Sequence, residues 1–568
     1  MQPLPPPQRR VLLRRYGPLI AILAVLAVVA AVVLATRGNS PKASSSAAKT
    51  AGRSHSSHST GELSWAQAAA EGKTNSIDWG SRCDTTTGKL KIPYYFAGQC
   101  YAPFKGNNGG ATYQGVTAHS IKVVLYLPEP RDPVLSYIEG AIADTDTNQQ
   151  TIATAEGYAK FLQTYYEAYG RTIDLIPFVA TGPATDDISA RADATTIAET
   201  IKPFAVIGGP ILTAAFGQEI VASKIFCINC LPDQPNGYYA ANSPYAIGLN
   251  MDADEAQVQL ADYIGAQLAG RPAAFAGSPA MAHVKRKFGL VYITTGQASE
   301  IATDHFVQSL ATFGVKLAAR LAYTSSVTID SVGFIAKLKA AGVTSVIFSG
   351  DPVAPGSLTR AATSQNYFPE WIISGSPLTD TTIFARTYDQ TQWAHAFGIS
   401  FLGARTDPKV SGSIYLYHWF YGKNPPAATG APITAALITL FFVGVQGTGP
   451  DLTPANLLAA LFAGPKPPEA LTQPMITYGN HGIWPQTDYL GIDDATEIWW
   501  NPKAFGPDEL NHPGNGLYEY VQGGKRYLPG QWPHVAPDVF TAIGAVTIYE
   551  TIPPAERVTN YPSPARSG

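Results

Sequence analysis

From Ser120 onward, short continuous apolar runs alternate with longer segments whose apolar residues recur every three or four positions. The first pattern predicts strands buried on both faces and the second predicts amphipathic helices covering them. In a first block the strand runs are Ile121–Leu127, Thr172–Val179, Phe204–Ile207 and Ile225–Ile228. The helical segments are Thr151–Tyr169, Asp187–Lys202 and one starting near Leu212. Ala155, Tyr158, Ala159, Leu162, Tyr165 and Tyr169 share one helix face, and Gly170 reads as its C-cap.

Tyr245–Leu249 is a short extended segment, after which Asp252 and Glu255 have capping-box spacing ahead of an apolar stripe ending at Gly270. The alternation then restarts: strands at Gly289–Thr294, Leu317–Tyr323, Thr344–Ser349 and Trp371–Ser374, with helices at Ser299–Phe313 and Asp330–Ala341. Two blocks of similar grammar predict an α/β protein with two lobes, each a parallel sheet covered by helices on both faces. Lobe cores are expected at 120–245 and 246–400, with 401–550 completing the lobes and hinge. In that last part Ile433–Gln446 is apolar all round and reads as a buried helix, and Thr453–Ala463 as an amphipathic one. The tail 551–568 is expected to fray.

Length is consistent with this division, since 568 residues exceed a single core. A net charge of -3 with 14% charged residues gives no basic field, so no nucleic-acid partner is expected. The N-terminus changes the picture more. Arg9, Arg10, Arg14 and Arg15 precede Gly17–Ala35, an uncharged run long enough to span a bilayer. The charge asymmetry predicts a cytoplasmic segment 1–16, a transmembrane anchor 17–35 and an exported body. The competing reading is a cleaved signal peptide ending at Val33-x-Ala35, which would leave the body secreted. A Ser/Ala/Gly linker follows at 36–62, then an N-terminal extension at 63–119.

Four cysteines form two local pairs, Cys83 with Cys100 and Cys227 with Cys230. In an exported body these read as two small-loop disulfides. No metal or cofactor is expected: there is no second Cys-x-x-Cys, no His-Glu-x-x-His and no Gly-x-Ser-x-Gly elbow, and the glycines of Gly444–Gly449 lack dinucleotide spacing. The acidic pairs Asp252/Asp254/Glu255 and Asp493/Asp494 read as a helix cap and a surface turn. His395 and His418 read as core or surface histidines. The chain is therefore expected not to be an enzyme.

Ligands of open α/β sheets meet strand C-termini and helix N-termini, where unpaired N–H groups point outward. The first-lobe candidates are Gly209, Pro210, Thr213 and Asn229. The second-lobe candidates are Thr294, Thr295, Gly296, Ser349, Asp351 and Ser376. Any one of these taken alone also serves as a turn or cap residue.

Ile207-Gly208-Gly209-Pro210 with Thr213, the segment Tyr245–Gln257, and Val346–Asp351 occur in an order that resembles type I periplasmic binding proteins, in particular the branched-chain amino-acid-binding group of ABC importers. The resemblance covers roughly 120–500. It implies two lobes hinged by three crossings that close over a small molecule and deliver it to an ABC permease. Where that family has an acidic run and Tyr-Gly, this chain has Thr294-Thr295-Gly296-Gln297-Ala298, and no carboxylate stands within Ser374-Gly375-Ser376-Pro377. A neutral or anionic organic ligand is expected in place of a free amino acid, because a buried ammonium needs a partner. Two other functions are a ligand sensor working through a separate membrane partner, and a secreted hydrolase, which would need a Ser or Asp beside a His in the cleft.

Overall fold

A computed structural model describes residues 63–566 except Ala143, Asp233 and Thr295. The expected cytoplasmic segment, membrane span and linker lie outside the described residues. Two sheets organise the rest. The first is parallel throughout, in the order β4 (Thr172–Val179), β3 (Ser120–Leu127), β5 (Ala205–Ile207), β6 (Phe226–Ile228), β7 (Ala246–Ile247). Val123, Val124 and Leu125 of the central strand pair with Ala205, Val206 and Ile207, and this β-branched and aliphatic ladder is buried from both faces.

The second sheet runs β9 (Ala319–Tyr323), β8 (Phe288–Ile293), β10 (Ser345–Ser349), β11 (Glu370–Ser374), β12 (Ala396–Ser400), all parallel. Beyond β12 it continues antiparallel into the hairpin β13 (Ala495–Pro507) and β14 (Pro513–Tyr520), with β15 (Arg526–Tyr527) also on β13. A short hairpin, β1 (Cys83–Asp84) with β2 (Lys89–Leu90), belongs to the N-terminal extension and is tied by the Cys83–Cys100 disulfide.

Helices from distant sequence complete each lobe. Asn148–Tyr165 packs the first sheet together with Gly412–Tyr421, Ala431–Thr448 and Pro454–Phe462. Ala431–Thr448 is long and apolar enough to cross a membrane, with mean hydropathy 1.6, but Leu437, Ile438, Phe441, Phe442 and Val445 are buried in this core. Its all-round apolarity is thus that of a core helix. The second sheet has apolar clusters on both faces. The main chain passes between the two cores three times. Leu249 is in the first core and Leu260 in the second; β12 is in the second sheet and Tyr417 in the first core; Leu490 is in the first core and Ala495 in the second. The crossings are therefore at 248–252, 401–411 and 490–494.

Several expectations need correction. The helix expected over Thr151–Tyr169 is Asn148–Tyr165, because Thr147 and Gln150 form a capping box upstream and Tyr166 is already extended. The helix expected near Leu212 starts at Ala215. Helices Pro133–Ile142 and Ala354–Ser364, and strand β12, were not foreseen. Asp493 and Asp494 are no surface turn: they are 0% and 4% exposed at the third crossing. The described part of the tail, 551–566, is tied down where fraying is expected. Glu556 accepts hydrogen bonds from the Leu471 and Thr472 amides (2.6 and 3.3 Å) and from the Thr472 hydroxyl, and Trp419 Nε1 donates to the Tyr561 carbonyl (3.0 Å).

Candidate ligand cleft

In the first lobe, β5 ends in a turn that only small residues fit. A Cβ on Gly209 would sit 3.1 Å from both the Cys230 Cβ and the Phe216 ring, and one on Gly217 would sit 2.2 Å from the Cys230 carbonyl oxygen. The Cys227–Cys230 disulfide is the cause: it folds the end of β6 against this turn, with both cysteines fully buried. Both expected disulfides are present. Pro210 is buried. Thr213 is also buried; it donates to Asp187 and accepts from the Ala215 amide (3.1 Å), so it shapes the turn before the helix Ala215–Ala222. Asn229, at φ 56, accepts from the Leu249 amide (3.2 Å) and so joins β6 to the first crossing.

In the second lobe two of the predicted residues, Thr294 and Asp351, meet at Tyr323, which sequence reasoning missed. The Thr294 amide donates to the Tyr323 carbonyl (2.8 Å), and the Tyr323 hydroxyl donates to Asp351 Oδ2 (2.6 Å). Asp351 Oδ1 accepts from the Val353 and Ala354 amides (2.9 and 3.1 Å), holding the turn that leads into the helix Ala354–Ser364. Ser376 Oγ accepts from the Gly350 amide (3.2 Å), and Ser349 is half-buried at the end of β10. Gly296 caps the helix Gln297–Thr312 with Ser299. Thr295 lies outside the described residues. Asp380 is buried where an ammonium partner would be sought, but the Ser400 hydroxyl donates to it and burial pushes its carboxyl up to about 6.

The helix Pro133–Ile142, after β3, is the other missed element. Asp132 accepts from the Val134 and Leu135 amides (2.8 Å each) and from the Ala184 amide (2.5 Å), so the Asp132-Pro133 pair was its sequence signal. Ile138 and Ile142 pack against the core of the second lobe, although the helix grows from the first. The strand-end loops also expose large apolar side chains: Val134, Tyr137, Ile211 and Leu212 in the first lobe, and Leu378 and Leu402 in the second. These loops can offer apolar surface, backbone N–H groups and hydroxyls.

A cavity of about 1450 Å³ lies elsewhere, walled by Arg405, Tyr415, Phe505 and Tyr561 among others, and none of the predicted residues lines it. Its walls are a helix of the first lobe, the β13–β14 hairpin and the tail. The end of β13 lines it at Phe505–Pro507, but none of the parallel strands ends in it, and the ends of parallel strands are where ligands sit in this class of sheet.

No family profile and no curated protein matches the sequence. Solved structures do match. The leucine-, isoleucine-, valine-, threonine- and alanine-binding protein from Brucella ovis, in its closed conformation, aligns over 73% of this chain and 98% of its own with TM-score 0.50 and 12% identity. A fatty acid ABC transporter substrate-binding protein from Thermomonospora curvata aligns over 74% and 95% with TM-score 0.48 and 16% identity. An ABC transporter solute-binding protein from Rhodopseudomonas palustris BisB5, in complex with 3,4-dihydroxybenzoic acid, aligns over 72% and 96% with TM-score 0.48 and 14% identity. The structural neighbours are type I periplasmic binding proteins of the branched-chain amino acid ABC transporter family, and this chain has their two-lobed α/β fold.

Proposed function

We propose that the protein is a membrane-anchored, extracytoplasmic solute-binding protein that captures a small organic ligand between its lobes for an ABC-type importer. The observation that carries this is the pairing of two sheets, one parallel and one mainly parallel, joined by three crossings, whose parallel strands end in loops that open onto helices. A ligand that touches both sets of loops favours the closed arrangement by the contacts it makes to both. The N-terminal arginines and apolar run support anchoring at 17–35 behind a cytoplasmic segment 1–16, with 36–62 as a tether.

The ligand is an apolar molecule, neutral or anionic. Val134, Tyr137, Ile211, Leu212, Leu378 and Leu402 supply apolar surface, while Asp351 and Asp380 already accept from the protein's own donors. The candidate contacts are Gly209, Pro210, Thr213, Asn229, Thr294, Thr295, Gly296, Ser349, Asp351 and Ser376, of which Asp351, Thr213 and Asn229 act mainly by holding the loops in shape.

The test is thermal unfolding against a panel of fatty acids, aromatic carboxylates, neutral amides and free amino acids. At a hundred times the dissociation constant a true ligand adds about 2.7 kcal/mol. Stabilisation by apolar carboxylates or neutral compounds, and none by amino acids, is expected. Stabilisation by amino acids alone would overturn the ligand class, and silence across the panel would count against the function.

A further inference from the structure

The hinge holds a buried acidic group that ligand capture does not use. Asp252 lies in the first crossing, and Glu255 opens the helix Ala253–Tyr263 just after it. Asp488 lies just before the third crossing and Asp493 within it. The two crossings are bonded to each other: the Gly248 amide donates to the Tyr489 carbonyl (3.0 Å) and the Ile492 amide to the Leu249 carbonyl (3.1 Å).

Most of the carboxylate oxygens in this group have donors. Asp252 accepts from the Asn236 and Glu255 amides (2.6 and 2.8 Å), and Glu255 Oε2 accepts from the Asp252 amide (3.3 Å). Asp488 Oδ1 accepts from the Leu490 amide (2.8 Å), and Asp493 accepts from the Thr477 hydroxyl and Trp484 Nε1 (2.8 and 2.9 Å). Two oxygens do not: Glu255 Oε1 and Asp488 Oδ2 are buried with no donor, in residues 2% and 1% exposed.

The surrounding charges do not compensate. Glu255 faces Asp252, Asp488 and Asp493; Asp488 faces Asp493 and Asp252; Asp493 also faces Asp494. The nearby guanidinium of Arg526 is committed to Asp494 (2.8 Å), and Asp254 points outward to His305 (3.0 Å). From the first lobe the cluster meets Tyr478 and Tyr239, whose hydroxyls donate to the Gly248 and Leu231 carbonyls (2.9 and 3.1 Å). Among the described residues no group of three His, Cys, Asp or Glu has metal-binding geometry.

We propose that protons held by the buried carboxyl groups of Glu255 and Asp488 keep the first and third crossings together, and that their loss loosens the hinge between the lobes. A proton on either oxygen removes a like charge, and the one on Asp488 can be donated to the Asp493 carboxylate. Deprotonation sends that proton to solvent and leaves adjacent carboxylates on two crossings repelling one another in a water-poor site. Burial first, and the neighbouring carboxylates second, hold the Glu255 carboxyl far above the ordinary carboxylate range; burial does the same for Asp488, with Asp493 adding to it. Because the folded-state values are raised, the stabilisation is fully present in acid and is lost as pH rises through them.

The test is amide exchange at 248–252 and 488–494, corrected for intrinsic rates, from about pH 5 to about pH 10 on the whole exported body. In the wild type the hinge opening constant should rise by about tenfold per pH unit for each proton released. Asp488→Asn and Glu255→Gln should flatten that rise. Should either variant not fold, infrared difference spectra read the same chemistry in Glu497→Gln, which removes the other strongly raised carboxyl, with a protonated-carboxyl carbonyl band still present at neutral pH and lost in alkali. A flat wild-type hinge, an unchanged slope in the folded variants, or no such band at neutral pH would each overturn the proposal.

Discussion

At the level of single residues, most of the predicted site is occupied in building its own loops. Asp351, Thr213 and Asn229 stand after a strand, where ligand groups are expected, and that same place makes them turn residues and ties. Sequence position located the loops because a glycine turn after an apolar run has few other meanings. It could not assign the side chains' partners, since those come from distant residues such as Tyr323 and Leu249. The buried Glu497 gives a prediction at this scale. It accepts from the Tyr263 hydroxyl (2.9 Å), and burial pushes its carboxyl up to about 8. A raised folded-state value means its contribution is present below the ordinary carboxylate range and is lost as pH rises through about 8. Glu497→Gln keeps the shape without the charge, so denaturant melts should show the variant gaining on the wild type from the ordinary carboxylate range up to about pH 8 and no further above it. Gly217→Ala is expected to destabilise by about 1–3 kcal/mol, because the added methyl meets the Cys230 carbonyl and the Leu231 side chain.

At the level of elements, strands β3, β4, β8 and β10 were legible because continuous β-branched runs between glycine turns have a single reading. Strand β12, AFGIS, was not: it is short and contains Gly398, whose added Cβ would lie 2.1 Å from the Ile373 carbonyl oxygen, so a glycine that looks like a breaker is required by the neighbouring strand. The tail was misread for a similar reason. Its Pro-rich composition signals disorder locally, while its anchors, Glu556 and Tyr561, find partners in residues far earlier in the chain. Glu556→Ala should cost about 2–3 kcal/mol, as a charge-assisted buried cluster is lost, and should expose 551–566 to limited proteolysis. Cys83→Ser removes a bridge spanning 17 residues and should cost about 3 kcal/mol on the chain-entropy scale, read by the same melts.

At the level of the whole molecule, two lobes were readable from repeated strand–helix grammar and the first crossing from the resemblance of Tyr245–Gln257, but the buried character of the third crossing was not. Asp493 and Asp494 looked like a surface turn because two adjacent carboxylates are seldom buried; here hydrogen-bond donors, Arg526 and the crossings enclose them. A body with three crossings and apolar loops on both lobes should change shape on binding. The most direct measurement is the radius of gyration by small-angle scattering, taken with and without a compound that raises the melting temperature. Closure predicts a smaller radius in the presence of that compound, with the change abolished when Ile211→Asp and Leu378→Asp remove apolar contacts from the two lobes. A radius that stays the same while the compound is demonstrably bound would contradict capture between the lobes.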